Sequence, residues 1–87
     1  MACVYILLSL KTERFYIGST DDLPRRISEH DRGHTPSIRT GVPWMIVLRQ
    51  HVPTYREARK IEYRLKALKN KKYIREMVMD GRIRLAG

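Results

Sequence analysis

Eighty-seven residues, 43% of them hydrophobic, suffice for one folded domain but leave no room for a large core or a long cofactor crevice. A single cysteine, Cys3, excludes an internal disulfide, and with only three His beside it a structural zinc site is not expected. The net charge of +9 is lopsided: residues 1–48 hold six basic and five acidic side chains, residues 49–87 twelve and four. That pattern suits a polyanion binder, because each neutralised phosphate releases counterions. An anionic membrane surface is the weaker alternative. The longest apolar stretch, Val4 to Leu8, is far short of the ~20 residues that span a bilayer. It also lacks a basic leader and a cleavage site, so a cytoplasmic protein with no membrane partner is expected.

Residues 3–10 (CVYILLSL) are a continuous apolar run of strand length. After the polar break at Lys11-Thr12-Glu13, residues 14–19 (RFYIGS) read as a second strand, and so short a link implies an antiparallel hairpin. Thr20, Asp21 and Asp22 offer capping oxygens, and Pro24 suits the first turn of a helix running to about Asp31. Leu23 and Ile27 give it an apolar stripe, and Gly33 to Pro43 reads as a loop. Residues 44–48 (WMIVL) are a third strand. Thr54 with Glu57 signals the start of a second helix, whose buried face is Ala58, Ile61, Leu65 and Leu68. Asn70-Lys71-Lys72 reads as a break before a short third helix, Tyr73–Met79. The expected fold is therefore one α/β (α+β) domain over residues 1–80, ordered β-β-α-β-α-α. It holds a three-stranded antiparallel sheet flanked by helices, and residues 81–87 form a short basic tail.

Several polar residues fall where apolar ones belong. Arg26 and His30 are four apart, so they share a helix face bordering the Leu23/Ile27 stripe. Glu62 falls inside the apolar arc of the second helix, where a carboxylate costs several kcal/mol unless it is paired or metal-bound. Tyr5 and Tyr16 each put a polar tip in an apolar strand. Taken singly, each has an ordinary structural explanation: rim tyrosines, or a salt bridge from Glu62 to a nearby arginine. Together they form a set with no rival, since the chain offers neither a nucleophile elbow nor a glycine-rich phosphate loop.

These residues resemble the GIY-YIG nuclease family, in particular its small single-domain members. The resemblance is carried by Val4-Tyr5-Ile6 and Phe15-Tyr16-Ile17-Gly18. It continues through Ser19-Thr20-Asp21-Asp22-Leu23 and Arg25-Arg26-Ile27-Ser28-Glu29-His30, then through Glu57 to Glu62. It spans roughly residues 3–75. The family's catalytic arginine, ten residues past the second-motif tyrosine, corresponds to Arg26; its helix-borne His or Tyr corresponds to His30, and its metal-binding glutamate to Glu62. The first motif departs from the pattern, reading Cys3-Val4-Tyr5 in place of Gly-Ile-Tyr but keeping the phenol. A late asparagine found in some members has its nearest counterpart in Asn70.

The resemblance implies a metal-dependent endonuclease that hydrolyses phosphodiester bonds with one Mg²⁺ (or Mn²⁺) on Glu62, DNA ranking ahead of RNA as substrate. Tyr5 is then the general base or the group that orients the water. Arg26 clamps the phosphate, His30 takes the relayed proton, and Tyr16 bonds the nucleophile or phosphate. His34, Arg39, Lys66, Lys69, Lys71 and Lys72 are candidates to contact nucleic acid. A non-catalytic nucleic-acid-binding module on the same fold is the alternative; a protein-interaction domain anchored by Trp44 or by Met77 and Met79 is a third.

Overall fold

The first strand, β1 (Ala2–Ser9), is almost wholly apolar up to Leu8 because it is the middle strand of a three-stranded antiparallel sheet and is covered on both faces. A computed structural model describes residues 2–31 and 43–83. In it β1 pairs with β2 (Phe15–Thr20) on one side and with β3 (Trp44–Val52) on the other, giving the order β2-β1-β3. The helices are α1 (Leu23–Asp31), α2 (Tyr55–Leu68) and α3 (Lys71–Asp80), so the element order is the expected β-β-α-β-α-α.

Alternation along β1 divides the core in two. Ala2, Val4 and Ile6 pack with Leu48, Val52, Ala58, Leu65, Ile74 and Met77, the cluster that seats α2 and α3. Cys3, Tyr5 and Leu7 face the other way, against Tyr16, Leu23, Ile27, Trp44 and Ile46. A register shift in the β1–β3 ladder explains how one run of β3 serves both clusters. Ile6 pairs with Leu48 but Leu7 with Ile46, so one extra residue in β3 sends Ile46 and Trp44 to the Tyr5 face.

The boundaries shift from the sequence reading for identifiable reasons. Strand β3 continues four residues beyond Leu48, because Gln50 and Val52 still pair with β1 despite the polar residues between them. The stretch read as a break is instead a helix start: Asn70 Oδ1 accepts from the Tyr73 amide, placing Lys71 and Lys72 in the first turn of α3. Only Lys69, in a left-handed conformation, and Asn70 separate α2 from α3. Thr54 caps α2 as its spacing predicts, accepting from the Glu57 amide at 3.2 Å. The hairpin turn is organised by Ser9, fully buried, whose Oγ accepts from the amides of Lys11 and Thr12. Beyond Asp80, Gly81 terminates α3 with φ +75°, and Ile83 still packs on the core, its amide donating to Gln50 Oε1 at 3.0 Å.

Candidate active site at the edge of the hairpin

Tyr5 and Gly18 are directly paired across β1 and β2. A side chain at Gly18 would collide with Tyr5: a Cβ there would lie 2.5 Å from both the Cζ and the Oη atoms. The Tyr5 phenol therefore lies over the bare backbone of β2 and carries its hydroxyl toward the open edge of the sheet. The ring itself is fully buried.

The helix that follows brings Arg26 to that hydroxyl. Thr20 Oγ1 accepts from the Asp22 amide at 3.0 Å, and Asp22 Oδ1 accepts from the Arg25 amide at 3.2 Å, so the strand turns directly into a capped α1. From α1 the Arg26 guanidinium donates a hydrogen bond to the Tyr5 oxygen, and a second one to Glu29 Oε2 at 3.0 Å. Burial pushes the Tyr5 phenol up to about 12; the Arg26 hydrogen bond opposes this, while Tyr16 and Glu62 reinforce it. The bond to Tyr5 in turn holds Arg26 above its ordinary value, so its charge is permanent.

Glu62 reaches the same edge from the opposite side of the sheet. Val4 pairs with Ser19 and Tyr5 with Gly18, so Ser19 faces α2 while Gly18 lies beneath the phenol. The Ser19 hydroxyl donates to Glu62 Oε1, and Lys66 Nζ lies 2.6 Å from Oε2. Lys66 also stands 5.8 Å from the centre of the Tyr16 ring, which meets Trp44 edge-on at 6.2 Å. Because β2 is an edge strand, groups from both faces of the sheet meet along it.

Of the residues picked from sequence, Tyr5, Tyr16, Arg26 and Glu62 come together here. Helix α1 includes the backbone of His30, but its side chain, like His34 and Arg39, lies outside the described residues. Lys66, Lys69 and Lys71 line a hollow beside β2 with Arg14 and Phe15, while Lys72 is exposed on α3 and is not part of that lining. Asn70 is accounted for as the cap of α3. Glu62 corrects one expectation. It is not sunk in the apolar arc but sits at its rim, its side chain 21% exposed and its ion partner the lysine one turn on rather than an arginine. Met77 is fully buried and cannot anchor a partner.

Two features escaped the sequence reading. Ser19 was available as a small polar residue on an otherwise apolar strand face. The Glu62/Lys66 spacing of four was equally visible. A third surface stands apart from the motifs: Tyr55, Arg56, Arg59, Lys60, Tyr63 and Arg64 line an open hollow on the outer side of α2. Tyr63 is 76% exposed there, and the Arg59 guanidinium stands 6.0 Å from the Tyr55 ring centre.

The raised Tyr5 value carries a stability prediction. The folded protein holds the phenolic proton more tightly than the unfolded chain, whose tyrosine titrates at ~10. The stabilisation is complete below that value and is lost as pH rises through about 12. Over that window wild type should lose up to ~2–3 kcal/mol more than Tyr5→Phe. Urea titrations of both proteins at pH steps above neutrality measure the difference.

Comparison with known proteins identifies the family. The family model described as the GIY-YIG catalytic domain matches residues 1–74. Among solved structures, the chain is similar to the UPF0213 protein BH0048 from Bacillus halodurans, determined by NMR. The identity is 32% and the TM-score 0.57, over 93% of this chain and 87% of that one. No curated protein matches significantly. With the family domain matched over 74 residues and this relative over nearly the whole chain, the protein belongs to the GIY-YIG family, whose members are in general nucleases.

Proposed function

We propose that the protein is a divalent-metal-dependent endonuclease that hydrolyses phosphodiester bonds of DNA, using the hairpin edge as its active site. The observation that carries this reading is the meeting of the Tyr5 hydroxyl, the Arg26 guanidinium and the Glu62 carboxylate around Gly18 and Ser19.

The magnitudes select among roles for Tyr5. A phenol titrating at about 12 is protonated at neutral pH, and ionising it there costs ~7 kcal/mol. Tyr5 therefore orients the attacking water and passes a proton onward as the bond forms, rather than standing ready as a phenolate. His30, one turn beyond Arg26 on α1, is the candidate to receive it. Arg26, always charged, donates to non-bridging phosphate oxygens as negative charge builds on them. Tyr16, close enough to Tyr5 to raise its titration, is the candidate to bond the nucleophile or the phosphate.

The donors at Glu62 fit Mg²⁺ or Mn²⁺. The carboxylate supplies hard oxygen, Ser19 fixes its orientation, and Oε2 already meets a positive charge in Lys66. A magnesium ion bound there supplies Lewis-acid neutralisation of the leaving oxygen, and one protein carboxylate suffices because this ion retains waters. The basic outer side of α2 and the lysine hollow beside β2 provide the charge to hold a nucleic-acid backbone next to this edge.

One observation favours the alternative of a binding module without catalysis: both Glu62 oxygens already have protein partners. The two readings part in a plasmid-nicking assay. The nuclease reading expects cleavage that requires Mg²⁺ and disappears in Glu62→Gln. That variant should keep its DNA affinity, and its stability should fall by no more than ~1 kcal/mol, since the ion pair it breaks is partly exposed. DNA binding with no metal-dependent nicking by wild type would leave the binding module.

A further inference from the structure

Lys66 stands against the carboxylate that a metal would use. Its Nζ lies 2.6 Å from Glu62 Oε2 while the Ser19 hydroxyl donates to Oε1, so each carboxylate oxygen already has a protein partner. A second cation at Oε2 would meet the ammonium in contact, and the two positive charges exclude one another there. Lys66 is the more exposed partner, its side chain 51% exposed against 21% for Glu62, so water can take over its charge when it leaves.

We propose that Lys66 is a holding cation: it keeps the metal position of Glu62 occupied in the metal-free protein and withdraws when a divalent ion binds. This rests on the metal-dependent reading of Glu62 given above. Two features support the exchange. Glu62 precedes Lys66 by four residues on α2, the orientation in which such a pair best stabilises a helix. The Tyr16 ring, whose centre is already 5.8 Å from Nζ, lets the ammonium keep a favourable neighbour as it withdraws from Oε2. Lys66 thereby holds the carboxylate aimed and weakens metal affinity by the free energy of a half-exposed pair.

The test is manganese binding to the full chain without nucleic acid, followed by electron paramagnetic resonance. Lys66→Met should bind Mn²⁺ ~2–5-fold more tightly than wild type, the scale of one displaced ion pair at a partly exposed site. Lys66→Arg, which keeps the charge, should stay near wild type. Lys60→Met removes the same charge from the far side of α2 and should shift affinity by less than about twofold. If Lys66→Met binds Mn²⁺ no more tightly than Lys60→Met, or more weakly than wild type, Lys66 does not compete and the inference fails while the metal site stands. Manganese binding that survives Glu62→Gln, or that is missing from both wild type and Lys66→Met, removes the metal reading of Glu62 and this inference together.

Discussion

Gly18→Ala should slow cleavage by ~100-fold and destabilise the fold, although it adds a single methyl group. That methyl would sit 2.5 Å from two atoms of the Tyr5 phenol, and neither side can yield easily. The Tyr5 ring is fully buried between strand and helix, and Gly18 is fixed by its pairing with Tyr5 in the β1–β2 ladder. Overpacking of this kind costs ~1–3 kcal/mol. The catalytic effect should be larger, because the hydroxyl leaves its place against Arg26, and a displacement of ~1 Å can cost ~100-fold in turnover. Denaturant melts and single-turnover rates measure the two effects. In a Tyr5→Ala background the same glycine change should cost little, because the atoms it meets are gone. A full-sized penalty in that background would show that the clash is not with Tyr5.

The second large effect is expected at Arg26. Arg26→Ala should lower the turnover rate by ~100-fold or more while DNA affinity falls only modestly, because the guanidinium bonds hardest to charge that develops during reaction. Arg26→Lys should rescue little, since an ammonium cannot donate to both phosphate and Tyr5 in a forked geometry. The variant should remain folded, as Arg26 is only half-buried and its ion partner Glu29 is on the same helix. Loss of Arg26 also removes the hydrogen bond that opposes the burial effect on Tyr5, so the phenol should titrate higher still, which an ultraviolet titration would detect. Unfolding of Arg26→Ala, or unchanged turnover, would assign the residue to structure instead.

How much of this was readable beforehand depended on whether the signal was local. The capping pattern Thr54/Glu57, the apolar spacing in α2 and the polar break at Lys11-Thr12-Glu13 are neighbour effects, and each produced the element it indicated, although Leu68, the last residue of that spacing, is 40% exposed at the end of α2. The ends of β3 and α3 were missed because long-range pairing and a cap decide them. Arg49, Gln50 and His51 look like loop but extend the ladder, and Asn70 looks like a breaker but begins a helix. Tyr5, Tyr16, Arg26 and Glu62 stand out in the sequence as polar intrusions in apolar patterns. What joins them does not show in the sequence. The view of Tyr5 across Gly18 depends on strand register, and the approach of Glu62 around Ser19 depends on β2 being an edge. Helical spacing overstates the burial of Glu62, because it shows which side a residue takes, not how close the sheet edge lies.

The most direct test of the central claim, that the phenol lying over Gly18 belongs to a working nuclease site, is a comparison of wild type with Tyr5→Phe. The substitution keeps the ring and its packing and removes one oxygen. The measurement is the single-turnover rate of cleavage of end-labelled DNA at saturating protein and Mg²⁺, with a chelator control. Wild type is expected to cleave only with the metal present, and Tyr5→Phe to bind the same DNA but cleave it ~100-fold more slowly or worse, the scale of losing a positioned proton-transfer group. Cleavage by Tyr5→Phe at the wild-type rate, or cleavage by wild type that persists in the chelator, would contradict the account.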